Sequence, residues 1–159
     1  MSANAIELSR RVKDRLDETV SVVTTCNEEQ WQAVSGSERW PVSILALHIA
    51  DVTENIHRMI SDQLSDPTNR TVLTVDQLDE INATRARERA NVTPGEVIAL
   101  LMKNGAKLEV VIGGLGDVEL DRVTGTIAGG EVTNAQLIES AVIDHFGEHL
   151  RSMRETIAR

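Results

Sequence analysis

The sequence predicts an all-α protein, a bundle of four long helices that occupies residues 1–159 as one domain. Apolar residues recur every three or four positions over long stretches, which is typical of the buried face of a helix. The chain is 41% hydrophobic but holds one Phe, two Trp and no Tyr, so its core is aliphatic, whereas sheets favour aromatic and β-branched side chains. Its 159 residues are enough for one domain with a core and too few for two ordinary domains.

The first two helices are predicted at about residues 3–27 and 41–65. Apolar side chains in the first helix lie four, four and three positions apart: Val12, Leu16, Val20 and Val23. Residues 35–39, SGSER, are turn formers that separate the two helices. Pro41 then suits the first turn of the second helix, where its missing N–H has no intrahelical partner to lose.

Two later helices begin at capping sequences. After a break at residues 65–71, SDPTNRT, Thr74 and Gln77 form a capping box for a moderately amphipathic helix. A stronger start signal combines a hydroxyl cap, a proline and a glutamate: Thr93, Pro94 and Glu96. The apolar helix that follows is predicted to end at Gly113.

Residues 113–132 are predicted as a loop with a short extended piece at about residues 118–127, because glycine is frequent and apolar residues are scattered there. The last helix is predicted to open with Thr133 and Gln136 and to run nearly to the C-terminus. Its inward stripe contains two histidines among apolar residues: Ile138, Val142, His145, His149 and Met153.

The charge of the chain excludes some classes of partner. The formal charge is −9 at pH 7, whereas nucleic-acid binding needs a basic surface that displaces counterions from phosphates. An anionic membrane surface is disfavoured for the same reason. The single cysteine, Cys26, cannot form an internal disulfide, and there is neither a signal-peptide core nor a run of about 20 apolar residues. We therefore expect a cytoplasmic protein that acts on a small molecule, without nucleic-acid or membrane partners.

Three histidines occupy inward-facing positions of the predicted helices. His145 and His149 are four residues apart, about 40° round a helix, so both rings project from one face and can reach one ion. His48 lies on the stripe of the second helix: Leu45, His48, Val52, Ile56 and Met59. Each buried polar group without a partner costs about 1–3 kcal/mol. The pattern therefore predicts one divalent metal ion bound by His48, His145 and His149, with coordination positions left open, as in catalytic sites.

Other interpretations of these residues were weighed. A lone histidine on an apolar face is more often a hydrogen-bonded core residue than a metal ligand, and only the combination of three favours metal. Residues 145–149 also match the H-x-x-E-H pattern of inverted zinc peptidases, in which Glu is the general base. Those enzymes take a third ligand downstream, whereas only ten residues follow His149. Glu148 lies to one side of the two rings, as a group at the rim of the site or, as we favour, a solvated charge.

Four further residues have both a functional and a structural interpretation, and a fifth has a structural one alone. Asn55 shares a face with His48 and either orients a metal-bound water or substrate or hydrogen-bonds across the bundle. Ser152 has the same relation to His145, but serine is commonplace on a terminal helix. Cys26 is either a thiol near the metal or a small core residue. Trp40 is expected to anchor a helix start rather than to form a substrate platform, and His57 is expected at the surface.

Two segments resemble the signatures of the DinB-like superfamily. Residues 40–50, WPVSILALHIA, look like the segment in which a Trp precedes a helix that carries the first histidine ligand. Residues 143–151, IDHFGEHLR, look like the paired histidines on the last helix of that superfamily. The resemblance spans essentially the whole chain and extends to the metal-binding domain of mycothiol-dependent maleylpyruvate isomerases.

The resemblance implies an up-down-down-up bundle whose long crossing connections are residues 66–93 and 113–132, with room for one extra short helix. It implies a three-histidine site for zinc, nickel or a similar ion, and a frequent homodimer. Characterised members of the superfamily mostly use a low-molecular-weight thiol, namely mycothiol, bacillithiol or glutathione, and others are regarded as metal-dependent hydrolases.

The leading hypothesis is a metal-dependent thiol S-transferase or isomerase, in which the ion lowers the pKa of a bound thiol and presents the thiolate as nucleophile. The alternative is a hydrolase in which the ion activates water and Glu148 or a neighbouring group moves the proton. A third hypothesis is a non-catalytic bundle that binds metal or a partner, because no convincing acid or base accompanies the three ligands in the sequence.

Overall fold

Helices dominate the fold, as the sequence predicts. The computed structural model describes residues 1–159. The helices are α1 (Ala3–Thr25), α2 (Glu28–Gln32), α3 (Val42–Ser65), α4 (Val75–Glu88), α5 (Pro94–Gly113), α6 (Asp117–Leu120), α7 (Asn134–Leu137) and α8 (His145–Ile157). A π-helical segment, Ile138–Asp144, joins α7 to α8, and we call these three continuous pieces the C-terminal helix. Three short strands form one sheet: β1 (Thr71–Leu73), β2 (Val123–Ile127) and β3 (Gly130–Thr133).

The first helix of the bundle, α1, runs antiparallel to α5. Just before α1, the Ser2 N–H donates to the carbonyl of Leu115, which follows α5 (3.0 Å). Further along α1, Ser9 Oγ donates to the carbonyl of Glu109 (3.0 Å). Later residues of α1 therefore meet earlier residues of α5.

The C-terminal helix runs parallel to α1 and antiparallel to α3. Its ion pairs with α1 keep the same order along both helices: Arg11 with Glu139 (2.5 Å) and Glu18 with Arg154 (2.9 Å). Its contacts with α3 run in the opposite order: Gln63 with Asn134 (2.5 Å) and His48 with His145 (3.1 Å). It follows that α3 points the same way as α5, which gives the up-down-down-up order that the resemblance implies.

The predicted helix starts are confirmed by their capping boxes. Threonine side chains accept the capping hydrogen bond at all three: Thr74, Thr93 and Thr133. At the other end of the chain, α1 stops at Thr25, slightly earlier than predicted, because Asn27 caps the separate short helix α2. Helix α2 was not predicted from the sequence. Its Trp31 is buried, and the indole N–H donates to the Val92 carbonyl (3.0 Å).

The small sheet is the main departure from the all-α prediction, and residues 113–132 are not a loop. Residues 117–120 form α6, so only the later part of the extended piece predicted at 118–127 is a strand, β2. Strand β2 pairs antiparallel with β3 through a tight turn at Ala128 and Gly129, which have φ angles of 50° and 85°. Gly129 is suited to that turn because glycine adopts positive φ without steric strain.

Strand β1 pairs parallel with β2 and joins the two crossing connections of the bundle. Thr71 lies opposite Gly125 in the register, and Leu73 lies opposite Ile127. A Cβ on Gly125 would overlap the Thr71 carbonyl, so glycine allows the two strands to approach. The paired residues are far apart in sequence, and for this reason local spacing gives no sign of the sheet.

The C-terminal helix also departs from the regular α-helix that the sequence predicts. At the end of the π-helical segment the N–H of His145 is directed to the carbonyl of Ser140, five residues earlier. Arg15 of α1 donates through Nε to the carbonyl of Ile143 (3.2 Å). The π-helical segment shifts the helical phase, so α8 turns a different face to the core than an unbroken α-helix would.

The core lies between the four long helices and is mainly aliphatic, as predicted. Its two largest side chains are Trp31 and Phe146, which are 1% and 0% exposed. Phe146 therefore fixes α8 against the core at the residue next to His145. None of the helices combines the length and the apolar character needed to cross a bilayer.

Candidate metal centre

The three histidines singled out in the sequence meet inside the bundle. His48 of α3 places Nε2 3.1 Å from Nε2 of His145, and Nε2 of His149 lies 2.9 Å from the same atom. The rings cross at steep angles, between 69° and 89°. Three ring nitrogens therefore converge on one point, from two helices that run in opposite directions.

The two histidines of α8 owe their position to the π-helical segment that ends one residue before His145. Segments of this kind are frequent at functional sites, because they change the direction of side chains without ending the helix. Gly147, between the two histidines, faces the guanidinium of Arg15, and a Cβ there would lie 3.4 Å from Arg15 Nη2. A small residue at this position lets α1 pack against the helix that carries both rings.

The chemistry of the three rings fits a divalent transition metal. Burial is the main cause that lowers the pKa of His48 to about 3 and that of His149 to about 4, and it also lowers the pKa of His145. The rings are thus neutral at pH 7 and offer lone pairs. Metal–nitrogen bonds of about 2.0–2.1 Å at tetrahedral angles would separate the nitrogens by about 3.3 Å. The observed separations of 2.9 and 3.1 Å are close to this value.

A carboxylate that the sequence analysis missed lies behind His149. Oε2 of Glu38 is 2.7 Å from Nδ1, the ring nitrogen that faces away from the other two histidines. The contact is not aligned as a hydrogen bond, since Nδ1 has no partner of acceptable hydrogen-bond geometry. Burial raises the pKa of Glu38, and the nearby Ser152 hydroxyl partly opposes this increase. Glu38 lies in a turn, where no helical spacing could have predicted its direction.

The turn that carries Glu38 spans residues 35–40, and we call it the Ser35–Trp40 loop. Its ends are joined by a hydrogen bond from the Ser35 N–H to the Trp40 carbonyl (2.9 Å). Between Glu38 and Trp40, Arg39 has a φ of 60°, a left-handed conformation that is uncommon for residues other than glycine. Ser152 of α8 holds the loop in place, because its buried hydroxyl lies 2.6 Å from Ser35 Oγ and 3.0 Å from Ser37 Oγ.

Trp40, at the end of the loop, contacts the first histidine. Its ring meets the His48 ring edge-on, with centroids 5.8 Å apart and planes at 71°. Trp40 was expected to pack at a helix start, and the structure adds this direct contact with the site. The Ser35–Trp40 loop thus touches two of the three histidines: Glu38 contacts His149, and Trp40 contacts His48.

The remaining candidates from the sequence lie outside the cluster of ring nitrogens. Asn55 is half-buried and accepts a hydrogen bond from Arg58 on its own helix (2.8 Å). Glu148 is exposed, in agreement with a solvated charge. His57 is half-buried rather than fully at the surface, and lies 3.4 Å from Ser61 Oγ. Cys26 is also half-buried, and burial raises its pKa.

An open cavity of about 380 Å³ adjoins the site between α3 and α4. Trp40, His48 and Asn55 form part of its wall, whereas His145 and His149 do not. Four carboxylate residues line it: Asp51, Glu54, Glu80 and Glu88. The only arginine in the lining, Arg85, is paired through two nitrogens with Asp51 (2.8 and 3.1 Å). The cavity is therefore acidic, and His48 is the histidine that connects it to the cluster.

Comparison with known proteins identifies the family. The sequence matches the family model of the DinB superfamily over residues 11–153. The chain belongs to the DinB superfamily. The fold is similar to the crystal structure of an uncharacterized protein from Clostridium difficile 630, with a TM-score of 0.70, 15% identity, and coverage of 98% of this chain and 96% of that chain. At this identity the similarity shows the fold alone. No curated protein matches the sequence.

The metal-free DinB-superfamily chain is expected to lose stability in acid through its buried histidines. The pKa of His48 in the folded protein, about 3, is below the ordinary value of 6.5, so the unfolded chain binds protons more readily. Stability from the neutral ring is fully present above pH 6.5 and is lost as the pH falls from 6.5 towards 3. Urea unfolding between pH 7.5 and 4.5 measures this loss, and His48→Gln, which cannot titrate, should make it shallower. An identical pH dependence in both proteins would contradict the expectation.

Proposed function

We propose that the three histidines hold one divalent transition metal ion, zinc or nickel, and that the protein is a metal-dependent enzyme that uses a low-molecular-weight thiol. The convergence of three neutral imidazole nitrogens beside an open cavity carries this proposal. When bound, such an ion would bind the thiol sulfur, lower its pKa and keep it as the thiolate nucleophile. An S-transferase or isomerase reaction is the activity that this chemistry serves.

The residues of the cavity restrict which thiol fits. Trp40 and Ile44 offer an apolar wall, and the four carboxylates with one paired arginine leave the lining with excess negative charge. Glutathione and bacillithiol carry carboxylates, which this lining would repel. Mycothiol carries none, so the cavity charge favours it among the three thiols, together with an uncharged or cationic electrophile.

A hydrolase is supported less well by the same residues. Water activation needs a proton acceptor on the open side of the ion. Glu148 is exposed, and Glu38 contacts His149 on the side away from the cluster. Neither carboxylate is placed to take a proton from a group on the cavity side, and none of the four carboxylates that line the cavity forms a hydrogen bond or ion pair with the histidines. The third hypothesis, a metal-binding bundle without turnover, would be supported if the protein bound metal but showed neither thiol binding nor turnover.

Binding of simple thiols to cobalt-loaded protein tests the proposal. Three small thiols of different charge serve as probes: cysteamine, 2-mercaptoethanol and mercaptoacetate. We expect a thiolate-to-cobalt absorption band, strongest with the cationic or neutral thiol and weakest with anionic mercaptoacetate. Glu80→Gln together with Glu54→Gln should reduce this preference, because both residues line the cavity and neither contacts the histidines.

Turnover is tested separately with mycothiol and an electrophile such as monobromobimane. Conjugation that requires metal, with no rate on esters or amides, would support a thiol transferase. A bound metal with no thiol band and no conjugation would overturn the thiol proposal and favour the non-catalytic bundle. Ester hydrolysis lost in Glu148→Gln would favour the hydrolase instead.

A further inference from the structure

The outer nitrogen of His149 has a single neighbour that can fix its protonation. The residue is 6% exposed, so water does not readily reach Nδ1. Oε2 of Glu38 lies 2.7 Å from this atom, near enough to accept its proton after a small rotation, and no other group makes a hydrogen bond to Nδ1. A neutral imidazole must carry its proton on one of its two nitrogens. A carboxylate beside Nδ1 draws the proton to that side and leaves Nε2 free.

We propose that Glu38 is a positioning residue, which holds His149 in the tautomer with the proton on Nδ1 and so directs the Nε2 lone pair into the histidine cluster. The inference rests on the proposed metal site, because its consequence is a higher affinity for the ion. Carboxylate partners of metal-bound histidines raise the basicity of the ligand and fix the orientation of the ring. Glu38 would act through His149 and would not touch the ion.

The Ser35–Trp40 loop is built to keep Glu38 in this place. Its hydroxyl contacts with Ser152 attach it to α8 less than one turn beyond His149. The N–H of Glu38 itself donates to Ser35 Oγ (3.2 Å), and Arg39 is held at positive φ beside it. A conformation of this kind is strained and persists where surrounding contacts enforce it. The strained residue lies between Glu38 and Trp40, the two that touch the histidines.

Zinc affinity, measured by competition with a chromophoric chelator, is the first test. We expect Glu38→Ala to weaken zinc binding by about 10–100-fold. Glu38→Gln should recover part of the loss, because its amide oxygen is an acceptor at the same distance from Nδ1. Glu148→Gln is the matched control: it removes a nearby charge that acts on both rings through space without a contact to either. Ser152→Ala should weaken binding less than Glu38→Ala, since it loosens the loop and leaves the carboxylate.

The tautomer of His149 in the metal-free protein is the second test, read from imidazole ¹⁵N chemical shifts at neutral pH. We expect the proton on Nδ1 in the wild type and in Glu148→Gln, and a mixture of tautomers in Glu38→Ala. Unchanged affinity and an unchanged tautomer in Glu38→Ala would overturn the inference. Should that variant fail to fold, Glu38→Gln decides by the same two measurements. A wild-type protein that binds no zinc would refute the proposed metal site. The ¹⁵N shifts would still report whether Glu38 fixes the tautomer of His149.

Discussion

Substitution of His48 by alanine is expected to remove stoichiometric metal binding. The protein purified without added metal or chelator should contain about one equivalent of transition metal, and the variant should contain almost none. The loss should exceed the roughly 10–100-fold that removal of an outer-shell partner causes, because one of only three ligands disappears. The two histidines of α8 would remain on one face but without the nitrogen that α3 supplies. Elemental analysis of both proteins measures the effect.

His57→Ala is the matched control for this experiment. His57 lies on the same helix as His48 and is half-buried, but its ring is outside the cluster. Its metal content should equal that of the wild type. Equal metal in His48→Ala and the wild type would refute the site, and so would a wild-type protein that cannot be loaded with zinc or nickel. In the second case the histidines would be core residues, and a chelator should leave the stability of the purified protein unchanged.

Substitution of Phe146 by alanine is expected to lower the free energy of unfolding by about 3–5 kcal/mol. Phe146 is 0% exposed and is the only phenylalanine in the chain, so its removal leaves a cavity that aliphatic neighbours cannot close by small movements. For a protein of this size, the expected decrease in Tm is roughly 6–20 °C. Thermal and urea unfolding of the metal-free protein measure both quantities.

Val110→Ala provides the comparison, because Val110 is 77% exposed on α5. Its effect should stay within about 0.5 kcal/mol. A loss below about 1 kcal/mol in Phe146→Ala would mean that the core around α8 repacks, contrary to the close packing expected of protein interiors. The variant should also bind metal less tightly, since Phe146 fixes the helix turn that carries both histidines.

The long helices could be predicted because their information is local. Apolar spacing defines the buried face of each helix, and capping boxes such as Thr93 with Glu96 mark where helices begin. The sheet could not be predicted this way. Strand β1 has only three residues, and its partner β2 lies beyond three further helices in the chain. Pairing between such distant segments is decided by the packing of the bundle and leaves no periodic pattern in either strand.

The candidate metal site likewise has a part that could be predicted and a part that could not. His48, His145 and His149 could be predicted to meet, because all three lie on apolar stripes, but the π-helical segment that sets the face of α8 was not predicted. Glu38 could not, since the direction of a side chain in a turn depends on backbone angles such as the φ of 60° at Arg39. Trp40 was predicted to anchor a helix start, but its contact with His48 depends on the backbone angles of the same turn. The unpredicted part of the site is the part that lies outside helices.

The π-helical segment makes the path of the backbone as important to the site as the three histidines themselves. If Ile138–Asp144 became a regular α-helix with the same number of residues, α8 would rotate by about 100° relative to α7, because the wider π-helical turns hold about one residue more. Both histidines would remain in the sequence, four residues apart, yet they would turn away from His48. Substitutions between Ile138 and Asp144 could therefore silence the site while all three histidines stay intact. An inventory of histidines alone would not distinguish such a chain from this one.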